Sequence, residues 1–435
     1  GYVQYSIDTQ KDSHKETADK KVLENKYYTI EVEENGSLTI VDKANNVTYK
    51  NQGILVENGD DGDSFNYSPP RKDMEVFSNE SKCTVKISGS DIYDQAEIHF
   101  DMVVPADLDE RAEGKVSVTM LVDMTVALRK DSKVIDFNVK VDNKGLSHRL
   151  CVLFDSQIVS AFNYADQQFG LIKRPNYYEK EMKLYMESMN NKTEKKAGIQ
   201  ELANWANDQS TWQEPPISIE PTQSYVSLTD GKTGIAVIPQ GVREYEVLDD
   251  SKIRLTLFRT YGFMGKENLI YRPGRASGER IIETPAAQLL KEMEFNFGFT
   301  SYAGDINDSD IDTLAKQYNT NLEVYTYAEF LNGRLIFSQR EIEGQNAKIH
   351  SLFETEGNLV VSAVKKAEED DGYIIRLYNG KDHKDLDDKI KFNFDIKEAY
   401  YTNLKEEKTE EIKVENNTIS VKELSHCKFV TIWVK

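Results

Sequence analysis

Several residue types and motifs are scarce in this 435-residue chain, and their scarcity excludes whole classes of protein. The three cysteines, Cys83, Cys151 and Cys427, are an odd number and too widely spaced for a disulfide framework or a Cys-x-x-Cys metal site. Among the six histidines we expect no metal-binding pair of the His-x-x-x-His or His-x-Asp type. There is also no Gly-x-Ser-x-Gly nucleophile elbow, Walker loop or dinucleotide-binding fingerprint. We therefore expect no metal ligand, no cofactor site and no catalytic residue within this chain.

Long apolar segments and positive net charge are missing as well. No run of about 18 apolar residues occurs, and the N-terminal residues lack the apolar core of a signal peptide. We therefore expect a soluble, cytoplasmic protein. The formal net charge of -20 repels phosphate and anionic lipid, so nucleic acid and membrane surfaces are not expected partners. The composition leaves a homodimer open.

What the sequence does contain is a long succession of strand patterns. Residues 28–32 alternate between apolar and polar side chains, Asn35-Gly36 supplies a two-residue turn, and residues 38–40 resume the alternation, which predicts a β-hairpin. Similar runs follow up to residue 302 without intervening helical periods. Consecutive strands of this kind predict antiparallel sheets, and residues 22–302 need a large two-layer sandwich. The runs with this pattern are 83–89, 96–104, 115–128, 134–143, 148–154, 223–230, 233–241, 243–250, 252–260 and 292–302.

The remainder of the chain combines one loop, one helix and a second group of strands. The lysine-rich stretch 179–198 has no clean apolar stripe, and we interpret it as a loop. Residues 309–319 carry the apolar spacing of a short amphipathic helix. Two connecting strands are predicted near 322–327 and 334–339. Six further strands begin near residue 358 and predict an Ig-like β-sandwich.

Two segments are candidates for a binding site. Residues 54–73 run from a strand into Asp60, Asp61 and Asp63, followed by aromatic residues and two prolines. This segment is either an acidic turn that ends in a rigid corner, or a loop that presents carboxylates and an aromatic face to a polyhydroxylated ligand. Residues 255–278, rich in Arg, Tyr, Phe and Gly, are either a strand with a structural loop or a second part of such a site.

Several strings resemble the α-mannosidases of glycoside hydrolase family 38, in the half that follows their catalytic barrel and helical bundle. Residues 23–46 resemble the family's entry hairpin, and the GDDGDSFNYSPP string at 59–70 resembles its acidic aromatic loop. LSHRLCVLF at 146–154 resembles its basic strand, and the stretch from Asn358 to Asn379 resembles the start of its final sandwich. The order and separation of these strings make the resemblance specific.

The resemblance implies a fold, an activity and a set of site residues. It implies a mainly β protein with a large galactose-mutarotase-like antiparallel supersandwich followed by a smaller Ig-like β-sandwich. It also implies retaining hydrolysis of α-mannosides, with the zinc ligands, nucleophile and acid/base in an absent N-terminal barrel. The domains expected on this basis are a linker at 1–21, the supersandwich at 22–302, a helix with connecting strands at 303–350, and the C-terminal sandwich at 351–435.

In the family, loops of the β half reach the substrate. Tyr67 is similar to a tyrosine at the sugar site and Arg259 to an arginine near it, although Phe65 and Tyr67 could exchange roles. Asp61 and Asp63 are either sugar-contacting carboxylates or caps of the turn's own N–H groups. The expected partners are mannose-containing oligosaccharides and the catalytic barrel of the same enzyme. The main alternative is a stand-alone carbohydrate-binding protein, and a third is a purely structural Ig-like surface protein.

Overall fold

A computed structural model describes residues 2–3, 15–16, 22–192, 214–272, 281–322, 349–382 and 384–435. These residues are mostly antiparallel strands, which confirms the predicted mainly β fold. The described part of the chain forms two compact units. The larger unit contains residues 12–166 and 173–311, and the smaller one contains residues 1–11, 167–172 and 312–435.

Helices are few and short in the described residues. The three α-helices are α1 (Leu108–Ala112), α2 (Glu179–Lys192) and α3 (Ile311–Asn319). The first sixteen strands are β1 (Tyr2–Val3), β2 (Lys15–Glu16), β3 (Val22–Glu24), β4 (Tyr28–Val32), β5 (Leu38–Asp42), β6 (Val47–Gln52), β7 (Ile54–Gly59), β8 (Val76–Phe77), β9 (Lys82–Gly89), β10 (Tyr93–Val104), β11 (Val118–Arg129), β12 (Ile135–Asp142), β13 (His148–Asp155), β14 (Phe162–Gln167), β15 (Gly170–Pro175) and β16 (Glu220–Pro221).

The strands of the C-terminal half continue in the same manner. They are β17 (Val226–Thr229), β18 (Thr233–Gln240), β19 (Glu244–Leu248), β20 (Lys252–Arg259), β21 (Phe263–Met264), β22 (Ile282–Glu283), β23 (Glu292–Ala303), β24 (Ile349–His350), β25 (Phe353–Thr355), β26 (Val360–Lys366), β27 (Tyr373–Tyr378), β28 (Leu386–Phe392), β29 (Ala399–Thr402), β30 (Lys408–Glu411), β31 (Thr418–Leu424) and β32 (Phe429–Val434). Beyond Leu322, the two predicted connecting strands lie outside the described residues.

The predicted hairpin is confirmed as the pair β4 and β5, which belongs to a four-stranded sheet in the order β3-β4-β5-β6. Its turn is longer than the predicted two residues, because the innermost pair is formed by the Glu33 N–H, which donates to the Ser37 carbonyl over 2.9 Å. Asn35 shapes its turn, because the side-chain oxygen accepts a hydrogen bond from the backbone N–H of Ser37 over 3.1 Å. Gly36 has a φ of 79° and packs against the Phe100 ring, which a Cβ atom would overlap. Glycine is therefore the residue that this turn requires.

Two larger sheets form the body of the larger unit. Ten strands run in the order β15-β14-β17-β18-β23-β12-β11-β10-β9-β2, and six run in the order β16-β19-β20-β13-β7-β8. Their inward side chains share one hydrophobic core. Near its centre, the Phe154 ring from the six-stranded sheet stacks on Phe299 at 5.4 Å and meets Phe137 edge-on at 5.4 Å. These contacts hold the two sheets face to face.

The interpretation of 179–198 as a loop was wrong for its first part, since residues 179–192 form α2. Glu, Lys, Met and Leu dominate this stretch and favour a helix through their intrinsic propensity, although the stretch has no apolar stripe. Tyr185 is its buried anchor. The predicted helix near 309–319 is confirmed as α3, with Ile311 and Ala315 buried one turn apart. No helix in the described ranges is long and apolar enough to cross a membrane.

The smaller unit contains a compact β-sandwich of its own. Five strands in the order β26-β27-β32-β29-β30 face three strands in the order β25-β28-β31, and their inward residues form a separate core. Behind this core, Trp433 donates a hydrogen bond from its indole N–H to Asp370 over 2.8 Å. The Lys408 ammonium lies 3.1 Å from the centre of the same indole ring, so the tryptophan is both buried and electrostatically fixed.

The aromatic core of the larger unit gives the first testable prediction. Replacing Phe154 by alanine leaves a cavity between two sheets, and we expect it to lower the free energy of unfolding by about 3 to 5 kcal/mol. Val159, which is 80% exposed, provides the matched control, and Val159→Ala should change that free energy by less than about 0.5 kcal/mol. Urea denaturation followed by circular dichroism measures both, and equal effects of the two substitutions would contradict this description of the core.

Candidate functional site

The acidic loop, residues 60–70, follows β7 and closes on itself. The backbone N–H of Asp61 donates to the Ser68 carbonyl over 2.8 Å, and that of Asp63 donates to the Asn66 carbonyl over 3.0 Å. Gly62 lies so close to the Asn66 carbonyl that a Cβ atom there would overlap it. The loop is therefore a tight, pre-formed turn.

Asp60, the first residue of this loop, is fully buried and forms a two-pronged ion pair with Arg259 at the end of β20. The guanidinium donates from Nε to Asp60 Oδ2 over 2.6 Å and from Nη2 to Oδ1 over 3.1 Å. The same Nη2 also donates to the Asn66 carbonyl over 2.9 Å. Burial raises the pKa of Asp60, although Arg259 opposes this effect. One arginine thus fixes both the start and the middle of the loop.

Asp63 is the second buried carboxylate of the loop. It forms an ion pair with Arg272 and accepts hydrogen bonds from the backbone N–H groups of Lys266 at 2.7 Å, Phe65 at 2.9 Å and Asn66 at 3.1 Å. Burial acts to raise the pKa of Asp63, but these donors outweigh it, so the pKa of Asp63 lies below its ordinary value. The carboxylate therefore ties the acidic loop to the segment 266–272.

The two aromatic residues of the loop face opposite environments. Tyr67 is only 7% exposed; its hydroxyl accepts a hydrogen bond from Asn58 Nδ2 over 3.1 Å, and the Arg149 guanidinium stacks 3.9 Å from its ring centre. Burial raises the pKa of Tyr67. Phe65, by contrast, is 59% exposed. Of the two rings that the sequence left interchangeable, Phe65 is the one that faces outward.

Asp61 lies at the surface of the same cluster and forms an ion pair with the side chain of Lys266. Both side chains are partly buried. The structure thus brings the four predicted residues together in one connected cluster. These residues are Asp61, Asp63, Tyr67 and Arg259.

Sequence reasoning missed the basic residues that complete this cluster. Arg149 donates to Asn58 over 2.9 Å and to Glu246 over 2.7 Å, and Arg272 holds Asp63. Two sequence features pointed towards these residues, namely the basic strand that contains Arg149 and the second candidate segment, 255–278, which contains Lys266 and Arg272. Residue spacing alone could not show that these basic residues contact the acidic loop.

Exposed apolar side chains gather in the loops around the cluster. In the pair β21 and β22, Met264 lies opposite Ile282, and both are substantially exposed. The backbone N–H of Ser64 donates to the Phe263 carbonyl over 3.2 Å, which joins this pair to the acidic loop. We define the apolar rim as Phe65, Met264, Ile270, Ile281 and Ile282, all large apolar residues with exposed side chains.

One histidine site lies elsewhere, on the outer face of the ten-stranded sheet. His99 Nδ1 is 2.6 Å from Asp123 and its Nε2 is 3.2 Å from Asp101. His99 and Asp101 have the His-x-Asp spacing, so the expectation that the histidines form no such pair was wrong. Hydrogen bonds to Asp123 and Asp101 raise the pKa of His99. Within the described ranges, no group of three or more His, Cys, Asp or Glu side chains could hold a metal ion.

Comparison with known families assigns this architecture. Residues 23–263 match the glycosyl hydrolases family 38 C-terminal domain, and residues 358–431 match the family 38 C-terminal beta sandwich domain. The chain belongs to glycoside hydrolase family 38. The resemblance stated from the sequence is thereby confirmed, as the C-terminal half of that family.

Individual family 38 relatives extend well beyond this chain. A putative mannosylglycerate hydrolase from Halalkalibacterium halodurans is 24% identical over 420 residues, which cover 92% of this chain and 40% of the relative. A family 38 structure from Enterococcus faecalis, 20% identical, superimposes with a TM-score of 0.72 over 99% of this chain and 46% of its own. An alpha-mannosidase from Enterococcus faecalis V583, 21% identical, superimposes with a TM-score of 0.71 over 95% of this chain and 42% of its own. The chain therefore spans less than half the length of these relatives, and the two structures support the fold.

The second prediction concerns the buried carboxylate of the loop. Replacing Asp63 by asparagine leaves the Arg272 charge buried and unpaired, and we expect a loss of about 3 to 5 kcal/mol in the free energy of unfolding at pH 7. Because folding lowers the pKa of Asp63, its stabilising effect is present above the unfolded value of about 3.9 and is lost as pH falls through the folded value. The penalty should therefore shrink below about pH 4.

Asp61 supplies the control for this experiment, since its ion pair with Lys266 is partly solvated. Asp61→Asn should cost less than about 1 kcal/mol at every pH. Urea titrations of both variants at a series of pH values make the comparison. A penalty for Asp63→Asn that does not change with pH would show that the carboxylate charge is unimportant.

Proposed function

We propose that this chain is the substrate-rim half of a zinc-dependent retaining α-mannosidase, which hydrolyses α-mannosides. Family 38 membership supports the glycoside hydrolase class. The relatives' greater length supports a larger enzyme, in which the nucleophile, the acid/base and the zinc ligands lie outside this chain. The described residues offer no three-ligand group for zinc, so we derive no step of the reaction through the metal.

The observation that carries the proposal is the division of the acidic loop into a buried and an exposed face. Asp60 and Asp63 are buried in ion pairs and fix the backbone, while Phe65 and the Asp61–Lys266 pair remain accessible. Aromatic rings suit the C–H faces of sugars, and charged side chains suit their hydroxyl groups. A rigid loop with such an exposed face is suited to a polyhydroxylated ligand.

We assign the individual residues as follows. Phe65 packs on a sugar face and Asp61 accepts hydrogen bonds from its hydroxyl groups. Tyr67 and Arg259, directly beneath them, form the floor of the same site, and Asp63 keeps the turn in shape. This assignment exchanges the roles of Phe65 and Tyr67 that the family resemblance first suggests, because the Tyr67 ring is covered by Arg149.

The apolar rim supports a docking surface for the rest of the enzyme. Large exposed apolar side chains that cluster around a polar site are typical of surfaces that bind another protein part. We propose that the catalytic part covers Met264 and Ile282 and leaves Phe65 at the substrate. The unpaired state of the three cysteines suits a cytoplasmic enzyme, since Cys83, Cys151 and Cys427 are all free thiols.

Activity assays test whether catalysis requires the part of the enzyme that lies outside this chain. We expect the full-length enzyme with zinc to hydrolyse an aryl α-mannoside, and we expect this chain alone to show no turnover. Mannosylglycerate is a second substrate to include, because the curated relative is named for it. Robust turnover by this chain alone would contradict the proposal. Micromolar binding of mannose oligosaccharides by the chain alone would instead favour a stand-alone carbohydrate-binding protein.

A substitution in the full-length enzyme tests the exposed ring. Phe65→Ala should lower kcat/KM for an aryl α-mannoside by roughly tenfold, which corresponds to about 1.4 kcal/mol. Phe429, an exposed phenylalanine of the smaller unit, is the matched control, and Phe429→Ala should leave kcat/KM within about twofold of the wild-type value. Tyr67→Phe adds a test of the floor, since it removes only the hydroxyl that Asn58 binds. If Phe65→Ala leaves kcat/KM unchanged, this ring does not contact the substrate.

A further inference from the structure

A groove crosses the outer face of the ten-stranded sheet and is not explained by the proposed reaction. It has a volume of about 450 Å³ and is lined by side chains from β9, β10, β11 and β12. Alternate residues of β10, β11 and β12 belong to the hydrophobic core. The residues between them point away from the core, because successive side chains of a strand face opposite sides of the sheet. The groove therefore lies on the side of this sheet that faces away from the six-stranded sheet.

The polar side chains of this groove form two rows that cross the four strands. Each row consists of residues that are paired in the sheet, and such partners point to the same face. The first row is Lys86, Glu97, Thr125 and Asn138. The second row is Thr84, His99, Asp123 and Lys140. Neighbouring strands are about 4.8 Å apart, so each row is roughly 14 Å long. We call the space bounded by these two rows the sheet groove.

The imidazole of His99 gives the second row a fixed geometry. Both of its ring nitrogens are engaged, one by Asp123 and the other by Asp101. Asp101 is held in turn by the Lys82 ammonium over 2.8 Å. Asp123 uses only Oδ1 in this contact, and its Oδ2 has no partner in the described part of the chain. An exposed carboxylate oxygen is thus held in place and remains available as an acceptor.

The first row contains an oriented amide. Asn138 donates through Nδ2 to Glu294 Oε1 and to Asn296 Oδ1, both over 2.7 Å. These two acceptors fix the amide orientation and leave Asn138 Oδ1 without a partner among the described residues. The Thr84 and Thr125 hydroxyl groups make no hydrogen bond within the described ranges either. The sheet groove therefore presents unused donors and acceptors on a rigid sheet.

The charges of the sheet groove favour a neutral ligand. Lys86 and Lys140 oppose Glu97 and Asp123, so an ionic ligand would meet as many like charges as opposite ones. A protein partner is disfavoured because the cores of protein interfaces are depleted of charged residues. Hydroxyl groups can both donate and accept hydrogen bonds, and they match such a mixture of ammonium, carboxylate, amide and hydroxyl groups. A neutral polyhydroxylated chain is therefore the ligand that this surface suits best.

We propose that the sheet groove is a second carbohydrate site, which binds a short neutral oligosaccharide across β9 to β12. Its length of roughly 14 Å suits several linked sugars rather than a single ring. Leu121 lies two residues before Asp123 on the same face of β11 and is 44% exposed, which adds an apolar contact for the C–H groups of a sugar. The choice of mannose as the sugar rests on the proposed function.

The sheet groove and the acidic loop belong to different sheets of the larger unit. The acidic loop follows β7 of the six-stranded sheet, whereas the sheet groove lies on the outer face of the ten-stranded sheet. Binding in the sheet groove therefore needs neither the acidic loop nor the catalytic part of the enzyme. The site retains an oligosaccharide chain at a distance from the bond that is cleaved.

Methyl NMR of this chain with labelled threonines tests the site by titration with linear α-mannotriose. The variants Thr84→Ser and Thr125→Ser identify the two methyl signals of the sheet groove. We expect both signals to shift together with half-saturation near about 1 mM, since an open groove buries little of its ligand. The methyl signal of Thr119, on the same face of β11, should stay in place. If neither groove signal moves up to about 20 mM trisaccharide, the proposal is wrong.

A pair of matched substitutions locates the binding site. Thr125→Arg places a long side chain across the sheet groove, and we expect it to weaken binding at least about tenfold, as followed by the Thr84 methyl signal. Thr119→Arg is the control, because Thr119 lies in the same strand about 20 Å away, and it should leave the Kd within about twofold. Urea denaturation of both variants checks that they remain folded. Equal affinity of the two variants would refute the sheet groove as the site.

A third variant separates this site from the acidic loop. Phe65→Ala should leave the Kd measured at the Thr84 methyl group within about twofold of the wild-type value, because Phe65 belongs to the other sheet's loop. A loss of the Thr84 shift in Phe65→Ala would contradict a separate site. The titration involves no turnover, so failure of the proposed function and failure of this proposal are distinct outcomes.

Discussion

The site depends on buried pairs of carboxylate and guanidinium groups. Asp60 with Arg259 and Asp63 with Arg272 connect loops that are about two hundred residues apart in sequence. Removing a charge from water is costly, and the pairing offsets this cost only when each partner has a fixed geometry and further hydrogen bonds. Both carboxylates meet this condition, through the backbone N–H groups of the loop. The loop consequently has little freedom to rearrange, and its exposed face is defined in advance of any ligand.

The hydrophobic core determines where these pairs can form. Phe137, Phe154 and Phe299 hold the two large sheets face to face, and the register of β7, β13 and β20 follows from that packing. In this register, Gly59 and Arg259 both lie at the same end of the six-stranded sheet. Apolar packing elsewhere in the sheets therefore places the polar side chains of that end close to one another. The charged groups then form ion pairs within a site whose position is already determined.

Much of the fold could be predicted from the sequence, whereas only part of the site could. Alternating residues and the Asn35-Gly36 turn predicted the hairpin because these signals are local. Helix α2 was missed because its stability comes from propensity and the single anchor Tyr185 rather than from an apolar stripe. The acidic loop was found from its composition, but Arg149 and Arg272 reach it only through long-range pairing. The outward position of Phe65 depends on the turn that Asp63 caps, and no residue spacing encodes that choice.

We propose that the acidic loop of this chain contacts the substrate of a larger family 38 enzyme. A crystal structure of the full-length enzyme with a bound mannoside tests it most directly. We predict that the Phe65 ring lies within about 4.5 Å of a sugar carbon, the distance of an apolar contact. A sugar bound elsewhere, with the acidic loop open to solvent or covered by another domain, would contradict the claim.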